Sequence, residues 1–298
     1  MLPGPSDDRP TNAPVPPPAA GRQVIPRPEG WRLGPPPPWA GVVAGGGGHI
    51  SLPMVRRAVG AVATPALSVD GSGPDGSGPG GSDPVGSDPV GSDPVGSDPG
   101  TAPGSLPFSA ARSAPPGTTD RSAVLVALFE EDGEARVILT VRSDRLRSHR
   151  GEVAFPGGRL DAGEGPVEAA LREAEEEVGL APSLVEVIGS LTPLSTYSSG
   201  TRMTPIVGTL ASRPVLRAAP GEVARIFDVS LRDLIADGVF HTEVWPPRPG
   251  RPVLRADGSA FWGGAVAPVV FYDVAGETVW GATARILTEL LAAVLAAG

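Results

Sequence analysis

Apolar residues are scattered in the first third of the chain and become regularly patterned after about residue 120. Two short apolar runs, Ala123–Phe129 and Ala135–Val141, flank an acidic stretch that contains Asp132-Gly133. Apolar runs joined by an Asp-Gly pair predict a β-hairpin. The same reasoning predicts four further strands, at Val185–Leu191, Met203–Leu210, Val266–Tyr272 and Thr278–Trp280. The last two form a second predicted hairpin around Ala275-Gly276, and Val223–Ile235 has a mixed pattern.

Helical spacing of apolar residues occurs in three places. Leu52 to Val62 predicts a short helix, and Pro166–Val178 predicts a longer one between a proline suited to a first turn and a glycine suited to a C-terminal cap. Residues 283–297 place six large aliphatic side chains on one face. Strands followed by a central and a terminal helix predict an α+β fold, in which helices flank a mixed β-sheet.

Composition divides the chain near residue 118. Residues 1–117 are rich in Pro, Gly and Ser, and residues 81–100 hold four near-identical five-residue units, GSDPV three times and then GSDPG. Segments with so few apolar side chains bury too little surface to offset their ordering entropy. We therefore predict a mostly disordered, low-complexity tail at 1–117 and a folded domain at 118–298, which has a normal length for one domain.

Charge and rare residues exclude several function classes. The net charge of −9 argues against a protein that coats nucleic acid. The chain has no cysteine, so disulfides, thiolate zinc sites and cysteine nucleophiles are excluded. It lacks a G-x-S-x-G motif and has three histidines, which leaves little support for a serine nucleophile. Neither a secretory signal nor an apolar stretch long enough for a bilayer is present, so we expect a cytoplasmic protein without a membrane partner.

The central helix carries an acidic cluster. Glu173, Glu176 and Glu177 are spaced i, i+3 and i+4, and therefore lie on one face. Carboxylates at this spacing repel one another. One interpretation is a solvated acidic surface that Arg172 partly neutralises. The other is a site for a hard cation, Mg²⁺ or Mn²⁺, which carboxylate oxygens bind and which turns their repulsion into attraction.

The surrounding residues favour the second interpretation, because the segment resembles the signature of the Nudix hydrolase family without a gap. The matching positions are Gly158, Glu164, Arg172, Glu173, Ala174, Glu176, Glu177, Gly179 and Leu180, of which Ala174 is smaller than usual. The resemblance implies a Nudix fold, with a loop–helix–loop packed on a mixed sheet.

The resemblance also implies roles for single residues. Glu173 and Glu177 would be direct metal ligands, Glu176 a further ligand or base, and the carbonyl of Gly158 a possible ligand. For Glu164 a structural ion pair with Arg172 is the favoured interpretation. Nudix enzymes often recruit an acid from outside the motif. Glu222 is a candidate for that catalytic role, although a plain surface position is the commoner fate of such a residue.

A second set of residues resembles the coenzyme A pyrophosphatase branch of the family. Upstream of the acidic helix these are Ile138-Leu139-Thr140-Val141-Arg142-Ser143, Arg147, Gly151 and Phe155-Pro156-Gly157-Gly158, with Ile138 in place of a usual leucine. Downstream they are Leu191–Leu194, Ser199–Pro205 and Val279–Ala284. The resemblance covers about residues 120–298.

Basic residues beside the acidic helix agree with an anionic substrate. Arg142, Arg147, His149 and Arg150 are candidate substrate-binding residues, since coenzyme A carries a diphosphate and a 3′-phosphate that guanidinium groups bind well. The alternative is a surface loop whose arginines pair with the many acids of the chain.

These observations predict metal-dependent hydrolysis of coenzyme A to adenosine 3′,5′-bisphosphate and 4′-phosphopantetheine. The alternatives are another nucleoside diphosphate substrate, such as NADH or ADP-ribose, and a non-catalytic Nudix fold that senses a ligand. The expected partner is a small nucleotide. Protein partners of the tail, the preferred metal, the oligomeric state and the choice between free, acylated and oxidised coenzyme A are left open.

Overall fold

The structure is a computed structural model that describes residues 23, 25–41, 48–61, 121–146, 148–195, 202–246, 253–254, 260–261 and 268–298. The helices are α1 (Leu52–Ala61), α2 (Pro166–Val178), α3 (Leu231–Leu234) and α4 (Gly281–Ala297). The strands are β1 (Arg32–Leu33), β2 (Arg121–Glu131), β3 (Glu134–Arg142), β4 (Val153–Ala154), β5 (Gly157–Arg159), β6 (Glu186–Ser190), β7 (Leu194–Ser195), β8 (Arg202–Thr209), β9 (Val223–Ser230), β10 (Phe240–Val244), β11 (Val253–Leu254), β12 (Ala260–Phe261), β13 (Val269–Val274) and β14 (Glu277–Trp280).

The larger sheet is mixed. Its central order is β4-β3-β2-β8-β6, and β5, β7 and β9 pair with β2, β8 and β3 respectively. Strands β2 and β8 run parallel, whereas the other pairs in this sheet are antiparallel. The β2–β3 hairpin turns at Asp132 and Gly133, both with positive φ (53° and 78°), as the Asp-Gly signal predicts.

Two apolar cores lie on opposite faces of this sheet. On one face α2 packs through its alanines and Val178 against β2, β3 and β8. On the other face lie α1, α4 and a smaller antiparallel sheet, ordered β1-β10-β13-β14. The predicted mixed sheet flanked by helices is therefore confirmed. Among the described residues, no helix is both long and apolar enough to cross a membrane.

Segments within the first 117 residues contribute to the second core. Helix α1 buries Leu52, Val55, Ala58 and Val59, and β1 pairs with β10. The segment before α1 is also hydrogen-bonded to the β2–β3 hairpin, since Ala135 N–H donates to the carbonyl of Ile50 at 2.7 Å. The domain boundary predicted at residue 118 is therefore wrong for residues 25–41 and 48–61. The composition of these segments is dominated by Pro and Gly and therefore did not predict folding. Their few apolar side chains are nevertheless buried in the core that they share with the rest of the domain.

The remaining helix and strand predictions agree to within three residues at each end, and their residues 62, 266 and 267 lie outside the described residues. Helix α2 has the predicted bounds, and Gly179 ends it in the left-handed region with φ of 67°. The mixed segment at residues 223–235 divides into β9 and the short helix α3, which Ser230 caps by accepting from Asp233 N–H. The five-residue units at 81–100 lie outside the described residues.

Candidate active site

The three glutamates of the acidic cluster differ in their surroundings. Glu177 lies on the face of α2 that meets the sheet and its side chain is only 6% exposed, whereas the side chain of Glu176 is 59% exposed. Glu173 lies between these extremes, with a side chain that is 18% exposed. Because Glu177 is the most enclosed, its charge depends most strongly on what lies next to it.

The Gly157-Gly158 segment brings backbone groups to these carboxylates. The N–H of Gly157 donates to Oε2 of Glu177 at 3.1 Å. A Cβ atom at Gly158 would lie 2.1 Å from Oε1 of Glu173, so a larger residue would collide with that carboxylate. The Gly157-Gly158 backbone thus lies directly against the carboxylates of Glu177 and Glu173, an arrangement that we call the glycine cradle. Carboxylate oxygens are donors that hard cations prefer.

Electrostatic strain is concentrated at Glu177. Its pKa is raised to about 7, mainly by burial and also by the nearby charges of Glu173 and Glu222. The N–H of Gly157 and the guanidinium of Arg142 act in the opposite direction. Burial also raises the pKa of Glu173, which Arg172 partly offsets. Several buried like charges favour the binding of a cation.

Arg172 holds the outer side of the cluster. It forms a two-pronged ion pair with Glu164, at 2.9 and 3.0 Å, and contacts Glu173 at 3.1 Å and Glu176 at 3.3 Å. The hydrogen bond from Arg172 lowers the pKa of the Glu164 carboxyl. The structural pairing predicted between Glu164 and Arg172 is present.

Glu222 reaches the site through a loop that caps α2. The N–H groups of Arg217 and Ala219 donate to the last helical carbonyls, those of Val178 and Glu177, each at 2.8 Å. Ser143 N–H donates to the carbonyl of Glu222, also at 2.8 Å. The negative charge of Glu222 helps to raise the pKa of both Glu173 and Glu177, and this proximity depends on the loop.

Two threonines that the sequence did not single out fix β4, the strand that leads into the glycine cradle. The hydroxyl of Thr140 donates to the carbonyl of Ala154, and the hydroxyl of Thr283 donates to the carbonyl of Val153, each at 3.0 Å. Thr283 belongs to the Val279–Ala284 motif and comes from the first turn of α4. The only sequence signal for its position was that motif.

Relatives with known family names match the same part of the chain. A protein of Citrobacter koseri named uncharacterized Nudix hydrolase NudL is 36% identical over 171 residues, which cover 57% of this chain and 80% of that protein. The chain belongs to the Nudix hydrolase family. A protein of the same name from Escherichia coli O1:K1 is 37% identical with the same coverage, and the NUDIX domain model matches residues 119–242.

As a Nudix hydrolase, the protein is a pyrophosphohydrolase of nucleoside diphosphate derivatives. A solved Nudix hydrolase from Mycobacterium smegmatis, RenU, is 25% identical over 44% of this chain and 77% of its own. The TM-score of 0.34 is low, so this likeness adds nothing to the family assignment.

The acids of this Nudix site do not form a preformed metal cluster. Within the described part of the chain, no three Asp, Glu or His side chains converge as metal ligands. Arg172 accounts for part of this arrangement, because it draws Glu173 and Glu176 towards itself. The donor types nevertheless fit a hard divalent cation, since the carboxylate oxygens of Glu173 and Glu177 meet at the glycine cradle.

The candidate substrate-binding residues separate into two groups. Arg142 points at the acidic cluster, with Nη1 at 3.6 Å from Oε1 of Glu177. His149 and Arg150 instead bond within their own loop, His149 to Glu152 at 2.9 Å and Arg150 to the carbonyl of Leu146. Arg147 lies outside the described residues.

Thr283→Val should lower kcat/KM by about 10-fold, because a buried hydroxyl that orients the cradle is lost and small displacements of reacting groups are costly. Thr283→Ser, which keeps the hydroxyl, should restore most of the activity. Thr288→Val is the matched control, since it removes a buried hydroxyl of the same helix that bonds to Ala284 and Tyr272 and not to β4. Steady-state kinetics and thermal unfolding of the three variants check this. Equal kinetic losses at both threonines would assign Thr283 a purely structural role.

Proposed function

We propose that the protein is a metal-dependent coenzyme A pyrophosphatase, which cleaves the diphosphate of coenzyme A or its derivatives into adenosine 3′,5′-bisphosphate and 4′-phosphopantetheine. The observation that carries the proposal is the position of Arg142. This residue belongs to the branch-specific motif rather than to the general Nudix signature, and its guanidinium lies beside the most buried acid of the site. A phosphate bound at the acidic cluster would be within reach of it.

In this proposal the acidic cluster binds Mg²⁺ or Mn²⁺. Glu173 and Glu177 are the direct ligands, Glu176 is a further ligand or base, and the carbonyl of Gly158 completes the oxygen donors. A bound divalent cation would polarise the diphosphate and acidify a water molecule. Glu222, held next to Glu173 and Glu177 by the loop that caps α2, is a candidate ligand or general base.

Phosphate recognition falls to Arg142, the last residue of β3, and to the basic residues of the β3–β4 loop. Arg142 lies beside the acids, and Arg147, His149 and Arg150 are proposed to contact the remaining phosphates. The side chain of His149 is 52% exposed, so its pairing with Glu152 is open to exchange for a phosphate. Negative charge developing on the diphosphate would be stabilised by these donors.

A substrate panel tests the proposal directly. Purified protein is assayed at fixed Mg²⁺ and at fixed Mn²⁺ on coenzyme A, acetyl-coenzyme A, dephospho-coenzyme A, NADH and ADP-ribose, with products separated by chromatography. Coenzyme A or an acylated form should have the highest kcat/KM. A preference for NADH or ADP-ribose would leave the Nudix chemistry intact and refute the substrate. Binding of these ligands without any turnover would favour the sensor alternative.

Arg142→Ala should lower kcat/KM for coenzyme A roughly 10- to 150-fold, the range expected for one charge-assisted phosphate contact. If Arg142 contacts the 3′-phosphate, activity on dephospho-coenzyme A, which lacks that group, should be spared. If Arg142 contacts the diphosphate, kcat/KM should fall by a similar factor on both substrates. Arg147→Ala, assayed in parallel on both substrates, separates the two roles. Unchanged activity of both variants on every substrate would remove the basic cluster from the proposal.

A further inference from the structure

Arg142 is fixed at the acidic cluster by its backbone. Its N–H donates to the carbonyl of Glu152 at 2.9 Å, and its carbonyl accepts from Gly151 N–H at 3.1 Å. The register of β3 against β9 shifts between Val141 and Arg142, and irregularities of this kind redirect a side chain. The backbone therefore has little freedom, whereas the guanidinium can change partners.

The guanidinium of Arg142 is incompletely bonded. Its Nη1 lies 3.6 Å from Glu177 Oε1, which is longer than the ~2.7–2.9 Å of a good charge-assisted hydrogen bond. Its Nε atom is buried and has no hydrogen-bond partner among the described residues. Arg142 thus neutralises part of the charge of Glu177 and still has donors to offer.

Arg172 is bonded quite differently on the other side of the cluster. The carboxylate of Glu164 accepts hydrogen bonds from two nitrogens of Arg172, and the carbonyl of Arg159 accepts a third at 3.0 Å. A guanidinium held in this way is a fixed part of the site. The two arginines therefore differ in how readily each could leave its carboxylate.

We propose that Arg142 is a displaceable counter-ion of Glu177. When a divalent cation binds the acidic cluster, the guanidinium leaves Glu177 and pairs with a substrate phosphate. The inference rests on the metal site of the proposed function. A cation and a guanidinium compete for the same carboxylate and repel each other, so binding of one weakens the hold of the other. The released guanidinium would then pair with the phosphate that the cation also attracts.

A displaceable Arg142 should behave differently from an arginine that only binds phosphate. Without metal, Arg142 is engaged by Glu177 and contributes little to nucleotide binding. With metal, it is available to phosphate. Because linkage between two ligands is reciprocal, the same residue that weakens metal binding in the free protein strengthens the joint binding of metal and nucleotide.

Titration of the substrate-free protein with Mn²⁺, followed by electron paramagnetic resonance of the free ion, tests the first half. Arg142→Ala should bind Mn²⁺ about 10-fold more tightly than wild type, within the usual range of coupling between sites. Arg142→Lys keeps the charge and should stay close to wild type. Arg213→Ala is the control for net charge, because Arg213 pairs with Glu131 at the opposite end of β2.

Calorimetric titration with adenosine 3′,5′-bisphosphate tests the second half. With saturating Mn²⁺, wild type should bind about 10-fold more tightly than Arg142→Ala, and in chelator the two should agree within about twofold. Lower affinity of the variant in both conditions would show a plain phosphate contact and overturn the inference. Equal Mn²⁺ affinity of the two proteins would overturn it as well. Absence of Mn²⁺ binding by wild type would refute the metal site and this inference together.

Discussion

Replacing Glu177 with glutamine should lower kcat at least ~100-fold while the protein stays folded, which corresponds to a few kcal/mol of lost transition-state stabilisation. Glutamine preserves the size of the side chain and can still accept the hydrogen bond from Gly157 N–H. It removes the negative charge that a cation needs at the most buried position of the cluster. Steady-state kinetics at saturating Mg²⁺ and at saturating Mn²⁺ measure the effect.

Glu175→Gln is the matched control, because Glu175 lies on the exposed face of the same helix. It should stay within about twofold of wild type, a change of less than ~0.5 kcal/mol. Near-normal turnover of a folded Glu177→Gln protein would exclude Glu177 as a ligand. Equal losses in both variants would point to general damage to α2.

The same substitution should change how stability depends on pH in metal-free protein. Burial raises the pKa of Glu177 to about 7 from an ordinary value of 4.5. Between these values the folded state binds more protons than the unfolded state, so the free energy of unfolding falls as pH rises. The loss is complete above the folded pKa and amounts to about 3 kcal/mol, an order-of-magnitude figure from ~1.4 kcal/mol per pKa unit.

Urea unfolding in the presence of chelator, at pH 5 and at pH 8, checks this. Wild type should lose stability between the two values relative to Glu177→Gln, so that the inactive variant is the more stable protein at pH 8. Saturating Mn²⁺ should stabilise wild type more than the variant at pH 8, because the cation binds the ionised carboxylate. If the free energy of unfolding of the two proteins in chelator depends on pH in the same way, the raised pKa of Glu177 is contradicted.

Deletion of residues 1–61 should destabilise the domain severely, to the point of insolubility or loss of cooperative unfolding. The deletion removes Ile50, Leu52, Val55 and Val59 from the core shared with α4. Burying one such side chain contributes ~1.5–3 kcal/mol, so the four together approach the whole ~5–15 kcal/mol stability of a typical domain. Thermal unfolding and gel filtration of the truncated protein measure the loss.

An internal deletion of residues 81–100 is the control for this experiment. It removes the four five-residue units and leaves α1 in the chain. Its melting temperature should remain within a few degrees of wild type, since the units carry few apolar side chains. Full stability of the 1–61 deletion would show that α1 and β1 contribute nothing to the core. A milder single-site test is Val55→Ala, which should cost about 1–3 kcal/mol.

Local signals in the sequence determined the longest helices, the central hairpin and the identity of the acidic cluster. The bounds of α2 follow from Pro166 and Gly179, which act within one turn of the helix ends. The β2–β3 hairpin follows from Asp132-Gly133, whose backbone preferences are intrinsic to the two residues. The helical spacing of Glu173, Glu176 and Glu177 likewise places them on one face without reference to the rest of the chain.

Only the tertiary structure decided how those acids differ and what surrounds them. Spacing on a helix cannot separate buried Glu177 from exposed Glu176, because burial depends on where the Gly157-Gly158 segment and β2 lie. The bond from Thr283 to Val153 joins residues 130 apart, and α1 packs against core residues of β2 and α4 that lie more than 60 positions further along the chain. Such contacts arise from the packing of distant segments. Their free energy depends on both segments together, so the local pattern of one segment cannot predict them.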